Sequence, residues 1–258
     1  MKKLLAVLMT CLLLVSGCSS EDTVTKSVEQ AKESGFIVGL DDTFAPMGFR
    51  DDNNEIVGFD VDLAKEVSNR LGFEVSFQPV DWEMKETELS QGNIDAIWNG
   101  LTITEERSEK MLFSDPYMDN TQMITVLADS DINEIADLDG KTIAVQKDSS
   151  ALDAVNNNES VKNNNTIVEY DTNVECIMDL EAGRVDAIVV DEVLGRYVMA
   201  QRGQEQYKVL DENLQEEQYG VAFRLTDTEL ETAVNDTLND MKADGSFDAI
   251  YATWFSVN

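Results

Sequence analysis

The sequence predicts an α/β protein built as two similar lobes with a ligand cleft between them. Two observations lead there. Short apolar runs alternate with stretches of helical periodicity, the strand–helix–strand order that builds a mainly parallel sheet covered by helices. The alternation then starts afresh in the second half. "LSQGNIDAIWNG" (Leu89 to Gly100) and "LEAGRVDAIVVD" (Leu180 to Asp191) share one grammar: a helix end, a glycine, then Asp-Ala-Ile and apolar residues. Clefts between such lobes are where small ligands bind.

The elements follow in order. "FIVGL" (Phe36 to Leu40) is a short apolar run between Gly35 and Asp41, a buried strand. In "VGFDVDLAKEVSNRLG", Val61, Leu63, Ala64, Val67 and Leu71 fall on one helical face, and Gly72 ends the helix. "FEVSFQPV" alternates as a strand, "MKETELSQGN" is a helix closed by Gly92, and "IDAIWNGL" is the next strand. The second half reads "KTIAVQ" strand, "SSALDAVNNN" helix, "TIVEYD" strand, "VECIMDLEAGRV" helix and "DAIVVD" strand. The Asn-rich run from Asn156 to Asn165 reads as a solvated loop. The chain closes on helix, Gly245 turn, helix.

Composition narrows the function. The chain has 258 residues and is 43% hydrophobic, enough for a sizeable core. Its formal net charge of −32 repels nucleic acid and anionic lipid headgroups. It contains no histidine, which excludes His-based triads, His general bases and the usual zinc ligands. The three cysteines are Cys11, Cys18 and Cys176. Lys2 and Lys3 followed by the apolar run Leu4 to Val15 have the form of a signal peptide over residues 1–17. The run is short for a membrane-spanning helix. "VSGC" (Val15 to Cys18) resembles a bacterial lipobox, with Cys18 as the residue that takes the lipid after cleavage. Cys11 leaves with the signal, so Cys176 has no partner and reads as a small buried hydrophobe. Polar residues 18–32 read as a flexible tether between lipid and fold.

"DDTFAPMGFR" (Asp41 to Arg50) sets two carboxylates beside an aromatic and a Pro turn. On residue types alone this fits a catalytic pair, a metal site, a solvated loop or the mouth of a ligand site. Four blocks settle the reading: "VGFDVDLAKEV", "GLTITEERSEKMLFSDPY", "KTIAVQKDSSA" and "AGRVDAIVVDE", in this order, resemble the polar amino-acid binding proteins that feed ABC importers (solute-binding protein family 3), in their lipoprotein form. The resemblance runs from about Phe36 to Phe255. It implies the two-lobed, type II periplasmic-binding-protein-like fold, with two hinge strands and closure on the ligand like a flytrap. One lobe would comprise residues 33–120 with 217–258, the other residues 121–216. The hinges would lie near Asp119 to Thr125 and Asn213 to Gln218.

The resemblance also implies roles. Arg107 would clamp the ligand α-carboxylate, since a planar guanidinium offers two parallel charged hydrogen bonds that a lysine cannot copy. Thr102 would add its hydroxyl and backbone, with Asn99 and Gly100 contributing backbone contacts. Asp191, at the end of its strand, would hold the α-ammonium. Ser149 would donate to the carboxylate from the second lobe at a helix start, with Ser150 capping that helix and Gln146 touching the side chain. Phe44 and Trp82 would sandwich the side chain. Trp98 reads equally as core or contact, and Trp254 as core. Asp41 would reach the side-chain end and disfavour Glu or Asp by like-charge repulsion, which favours Arg, Lys or Gln, with His or cystine behind them. Asp42 reads as solvated or capping, Met47 and Phe49 as packed inward, and Arg50 as solvated.

The implied function is capture without catalysis: a monomer, without cofactor or metal, delivering a free amino acid to a membrane permease and its ATPase on the extracytoplasmic side. Three rivals remain on this reading. A cyclohexadienyl dehydratase would use the same fold with a positioned acid. A sensory lipoprotein would need a signalling partner. A metal-capturing lipoprotein would depend on carboxylates, but no calcium-loop spacing is present.

Overall fold

The computed structural model describes residues 24–255. The signal segment, Cys18 and the start of the tether lie outside the described residues. The first lobe opens with helix α1 (Val28–Ser34), then β1 (Phe36–Leu40), the short strands β2 (Thr43–Phe44), β3 (Gly48–Arg50) and β4 (Ile56–Val57), and helix α2 (Phe59–Leu71). Strand β5 (Val75–Pro79), helix α3 (Lys85–Gln91), strand β6 (Ala96–Ile97), helix α4 (Glu105–Lys110) and strand β7 (Met111–Phe113) follow. The long strand β8 (Met118–Leu127) leads into the second lobe. There lie β9 (Thr142–Gln146), α5 (Ser150–Asn157), α6 (Glu159–Asn164), β10 (Thr166–Tyr170), α7 (Asn173–Glu181), β11 (Ala187–Asp191) and α8 (Glu192–Arg202). Strand β12 (Tyr207–Tyr219) returns to β13 (Ala222–Arg224), α9 (Thr228–Asp244) and α10 (Ser246–Phe255) in the first lobe.

Each lobe has a five-stranded sheet, ordered β5-β1-β6-β13-β7 and β10-β9-β11-β8-β12. Three strands of each run parallel, as the alternating sequence predicts. The other two run antiparallel to their neighbours, which makes both sheets mixed. The reason is connectivity: β7, β8, β12 and β13 flank the two passages between lobes, so the chain traverses them in opposite senses. The passages lie side by side, with Asp119 paired to Gln218 and Glu217 to Asn120 across the β8–β12 ladder.

Packing follows the apolar pattern. Phe36, Val38 and Leu40 of β1 are fully buried, as are Phe59, Leu63, Ala64 and Val67 of α2. Gly72, at φ +79°, closes α2 in the left-handed region that glycine enters without steric cost. Phe59 is ringed by Phe247, Tyr251 and Phe255 at 5.6, 5.8 and 5.1 Å, which seats α10 on α2. Cys176 is free and fully buried. Met47 is buried, while Phe49 is half-buried against Trp254 of its own lobe and Tyr197 of the other.

Four local expectations are corrected. The end of the expected tether is folded: Ser27 and Gln30 form a reciprocal cap on α1, and Ala31 is buried. The Lys26 backbone N–H donates to Asp227 at 2.8 Å and its ammonium lies 3.2 Å from Asp95, which ties this segment to the first lobe. The Asn-rich run is not a loop but holds α6, because Asn158 caps it by accepting from Ser160 and Val161, and Val161 is buried. Trp254 is only half-buried, its indole N–H donating to Asp62 at 2.9 Å. Arg50, although exposed, is paired with Asp42 rather than left to solvent.

Candidate functional site

The carboxyl ends of the parallel strands from both lobes meet across the cleft, where open α/β sheets place their ligand sites. Strand β1 leads into Asp41, β6 runs into Asn99 and Gly100, β9 ends at Gln146, and β11 ends at Asp191. The structure brings all ten residues singled out from the sequence around one cavity: Asp41, Phe44, Trp82, Asn99, Gly100, Thr102, Arg107, Gln146, Ser149 and Asp191. Ser150 joins them. The cavity is tight, about 10 Å³, room for about one water molecule. Anything the size of an amino acid enters only when the lobes part.

In the first lobe, Thr104 caps α4 by accepting from the Arg107 N–H at 3.1 Å, which fixes where the arginine side chain starts. The Arg107 guanidinium is buried and donates from Nη1 to the Thr102 carbonyl at 2.9 Å. A longer contact of 3.4 Å runs from Nη2 to the Asp148 carbonyl of the second lobe. Gly100 sits at φ +57°, and a Cβ there would meet the Phe44 ring at 2.9 Å and the Tyr219 ring at 3.1 Å. Only glycine lets the backbone run this close to the cavity. Its N–H donates to Asp60 Oδ2 at 2.7 Å, an oxygen that also accepts from the Tyr117 hydroxyl at 2.9 Å. Trp98 is fully buried and belongs to the core behind this turn.

Asp41, just after β1, is buried and its oxygens are taken up locally. Oδ1 accepts from the Thr43 N–H and hydroxyl at 2.9 and 2.7 Å. Oδ2 accepts from the Gln146 amide of the opposite lobe at 2.8 Å, and Asn173 in turn donates to Gln146 Oε1 at 2.7 Å. Burial raises the Asp41 pKa, opposed by the Thr43 and Gln146 hydrogen bonds. Asn99 accepts from the Asp41 N–H at 3.0 Å through its side chain, so it contributes more than backbone.

Several hydroxyls are placed differently from expectation. Ser149, not Ser150, caps α5: its Oγ accepts from the Leu152 N–H at 3.2 Å and donates to the Gln146 carbonyl at 2.6 Å. Ser150 instead lies 3.1 Å from the Thr102 hydroxyl, joining the lobes. The Thr102 hydroxyl donates to Glu217 Oε2 at 2.8 Å rather than into the cavity. Asp191 occupies the cap position of α8, but its side chain does not cap that helix. Its Oδ1 accepts from Asn120, Gln122 and Tyr219 at 2.6, 2.9 and 2.7 Å. Burial and the neighbouring Glu217 carboxylate push the Asp191 pKa up to about 7. Asp60 is likewise pushed to about 7, by burial.

Sequence reasoning missed this hinge network. The Asn120 and Gln122 amides bridge Asp191 and Glu217, donating to Glu217 Oε2 at 3.1 and 2.9 Å. Residues 120 and 122 share one face of β8, and 215 and 217 one face of β12, but Asp119, Thr121 and Glu216 beside them are polar too, so no alternation marks these positions in the sequence.

Comparison with known proteins agrees with this architecture. The L-cystine-binding protein TcyJ of Escherichia coli (strain K12) is 31% identical over 252 residues, covering 95% of this chain and 92% of TcyJ. A solved ABC uptake transporter substrate-binding protein from Streptococcus pneumoniae with bound histidine is 36% identical, with a TM-score of 0.84 over 86% of this chain and 92% of that one. The ancestral amino acid-binding protein AncCDT-1, a precursor of cyclohexadienyl dehydratase, is 34% identical, with a TM-score of 0.82 over 88% of this chain and 99% of that one. The family model of the bacterial extracellular solute-binding proteins, family 3, matches residues 36–257. With the match spanning both lobes and the cleft between them, this chain belongs to the bacterial extracellular solute-binding proteins of family 3.

Proposed function

We propose that the protein captures a polar or basic amino acid between its lobes and hands it to an ABC permease. One observation carries the reading: a buried guanidinium, Arg107, and a strand-end carboxylate, Asp191, line one cavity from opposite lobes. A zwitterion has the two opposite charges that such a pair satisfies together. Both are engaged only with the lobes closed, so ligand contact energy shifts the equilibrium toward closure. The relatives named for cystine and for histidine binding support an amino acid as the ligand class.

At the far end, the Gln146 amide already donates to Asp41, so a ligand amide, ammonium or guanidinium would replace one donor with another. This favours Arg, Lys or Gln. An acidic side chain would meet a buried carboxylate without a counter-charge. Lipidation at Cys18 would keep the protein, as a monomer, on the outer side of the membrane beside its permease. Screening the twenty amino acids with ornithine and cystine by thermal shift tests the reading, since a ligand of the folded state raises Tm. No shift with any of them would defeat it. A dehydratase reading gains some support from the likeness to AncCDT-1 and from the acids near neutrality, Asp60 and Asp191. Loss of prephenate on incubation with purified protein would establish it.

A further inference from the structure

We propose that Lys85 is a closing residue: it fastens the lobes through Asp148 and thereby sets affinity for every ligand without touching any. Lys85 opens α3 in the first lobe and is fully buried. Its ammonium has three N–H donors and three acceptors. One is the carbonyl of Trp82, at 3.0 Å within its own lobe. The other two belong to Asp148 of the second lobe, the carbonyl at 3.0 Å and the carboxylate oxygen Oδ2. The ammonium also lies 4.8 Å from the centre of the Trp82 ring. Separating the lobes would strip two of these three hydrogen bonds, so the buried charge is satisfied only at closure.

The position of Asp148 explains why this matters to the site. It lies at φ +50° in the turn from Gln146 to Ser149, both of which line the cavity. Its carbonyl also takes the 3.4 Å contact from Arg107. Two cations of the first lobe thus grip one turn of the second, and that turn carries cavity residues. Lys85 itself does not line the cavity, whereas Trp82 and Arg107 do. Its contribution therefore acts on the closed population, and apparent affinity scales with that population whatever the ligand.

The inference rests on the amino-acid-capture reading, and the test separates the two. Dissociation rates and Kd are measured for at least two amino acids found by thermal shift, on the wild type, Lys85→Met, Asp148→Asn and the double variant. Asn tolerates the positive φ at position 148, so that variant keeps the turn. Lys85→Met is expected to speed dissociation and weaken every ligand by a common factor of about 10 to 100, the scale of hydrogen bonds to a charged group. Asp148→Asn, at a side chain half exposed, shifts binding the same way even if Lys85→Met folds poorly. The double variant should lose less than the product of the single losses, because both remove one contact. An unchanged dissociation rate, a loss confined to one ligand, or fully multiplicative losses would overturn the proposal. A wild type that binds no amino acid would defeat the capture reading as well.

Discussion

Replacement of Arg107 by alanine tests the ligand site most directly. Arg107 is 6% exposed and its guanidinium makes one good hydrogen bond at rest, to the Thr102 carbonyl at 2.9 Å. Its remaining donors are available to a carboxylate in the cavity it lines. Removing one partner of a buried charged pair costs about 3–5 kcal/mol. At 1.4 kcal/mol per tenfold, affinity should fall by between two and four orders of magnitude, roughly. The fold loses far less: about 1–2 kcal/mol for the bond to Thr102. That lowers Tm by only about 2–8 °C in a chain of this size. Lysine at 107 should recover charge but not the paired geometry, and so only part of the affinity. Titration calorimetry on ligand-free protein, with a melting curve as fold control, gives both numbers. A Kd within threefold of wild type, alongside a normal melting curve, would refute the carboxylate clamp.

Other outcomes follow from the same geometry. Asp41→Asn should weaken a basic amino acid far more than glutamine, read as the ratio of the two Kd values; equal losses would remove Asp41 from selectivity. Because the Asp191 pKa is raised to about 7, the ionised form that would hold an ammonium is lost as pH falls through that value. Affinity should be full above about pH 7 and drop tenfold per unit below it, about 100-fold by pH 5. Stability of the ligand-free protein should move the opposite way. A raised folded-state pKa means the folded form binds the extra proton, so Asp191 favours folding as pH falls from 7 toward its usual value of 3.8. Binding that is flat from pH 5 to 8 would contradict the assignment. Ser27→Ala should cost about 1 kcal/mol and lower Tm by about 2–4 °C. Rapid amide exchange across Val28–Ser34 in the wild type would show instead that this segment is not docked.

Some of this molecule was legible from residue order, and the reason is local. The α2 stripe of Val61, Leu63, Ala64 and Val67 and its Gly72 stop encode a helix without reference to anything distant. The strands β1, β9 and β11 announce themselves as short apolar runs, and their carboxyl ends deliver Asp41, Gln146 and Asp191 to one edge. Family motifs added Arg107, Thr102 and the aromatics, and all of these line the cavity. The Asn-rich run misled because three asparagines in a row read as loop, although one of them, Asn158, is a helix cap.

What residue order could not determine depends on which lobe faces which. The sequence determined two α/β halves, their core faces and the strand ends where a ligand site belongs. Tertiary structure alone decided that the Thr102 hydroxyl turns to Glu217, that Gln146 spans the cleft to Asp41, and that Asn120 and Gln122 tie Asp191 to Glu217. It also decided that Lys85, a residue usually solvated at a helix start, is buried under Asp148. Each of these pairs joins residues far apart in the chain, and a side chain's partner and dielectric surroundings exist only once the lobes meet.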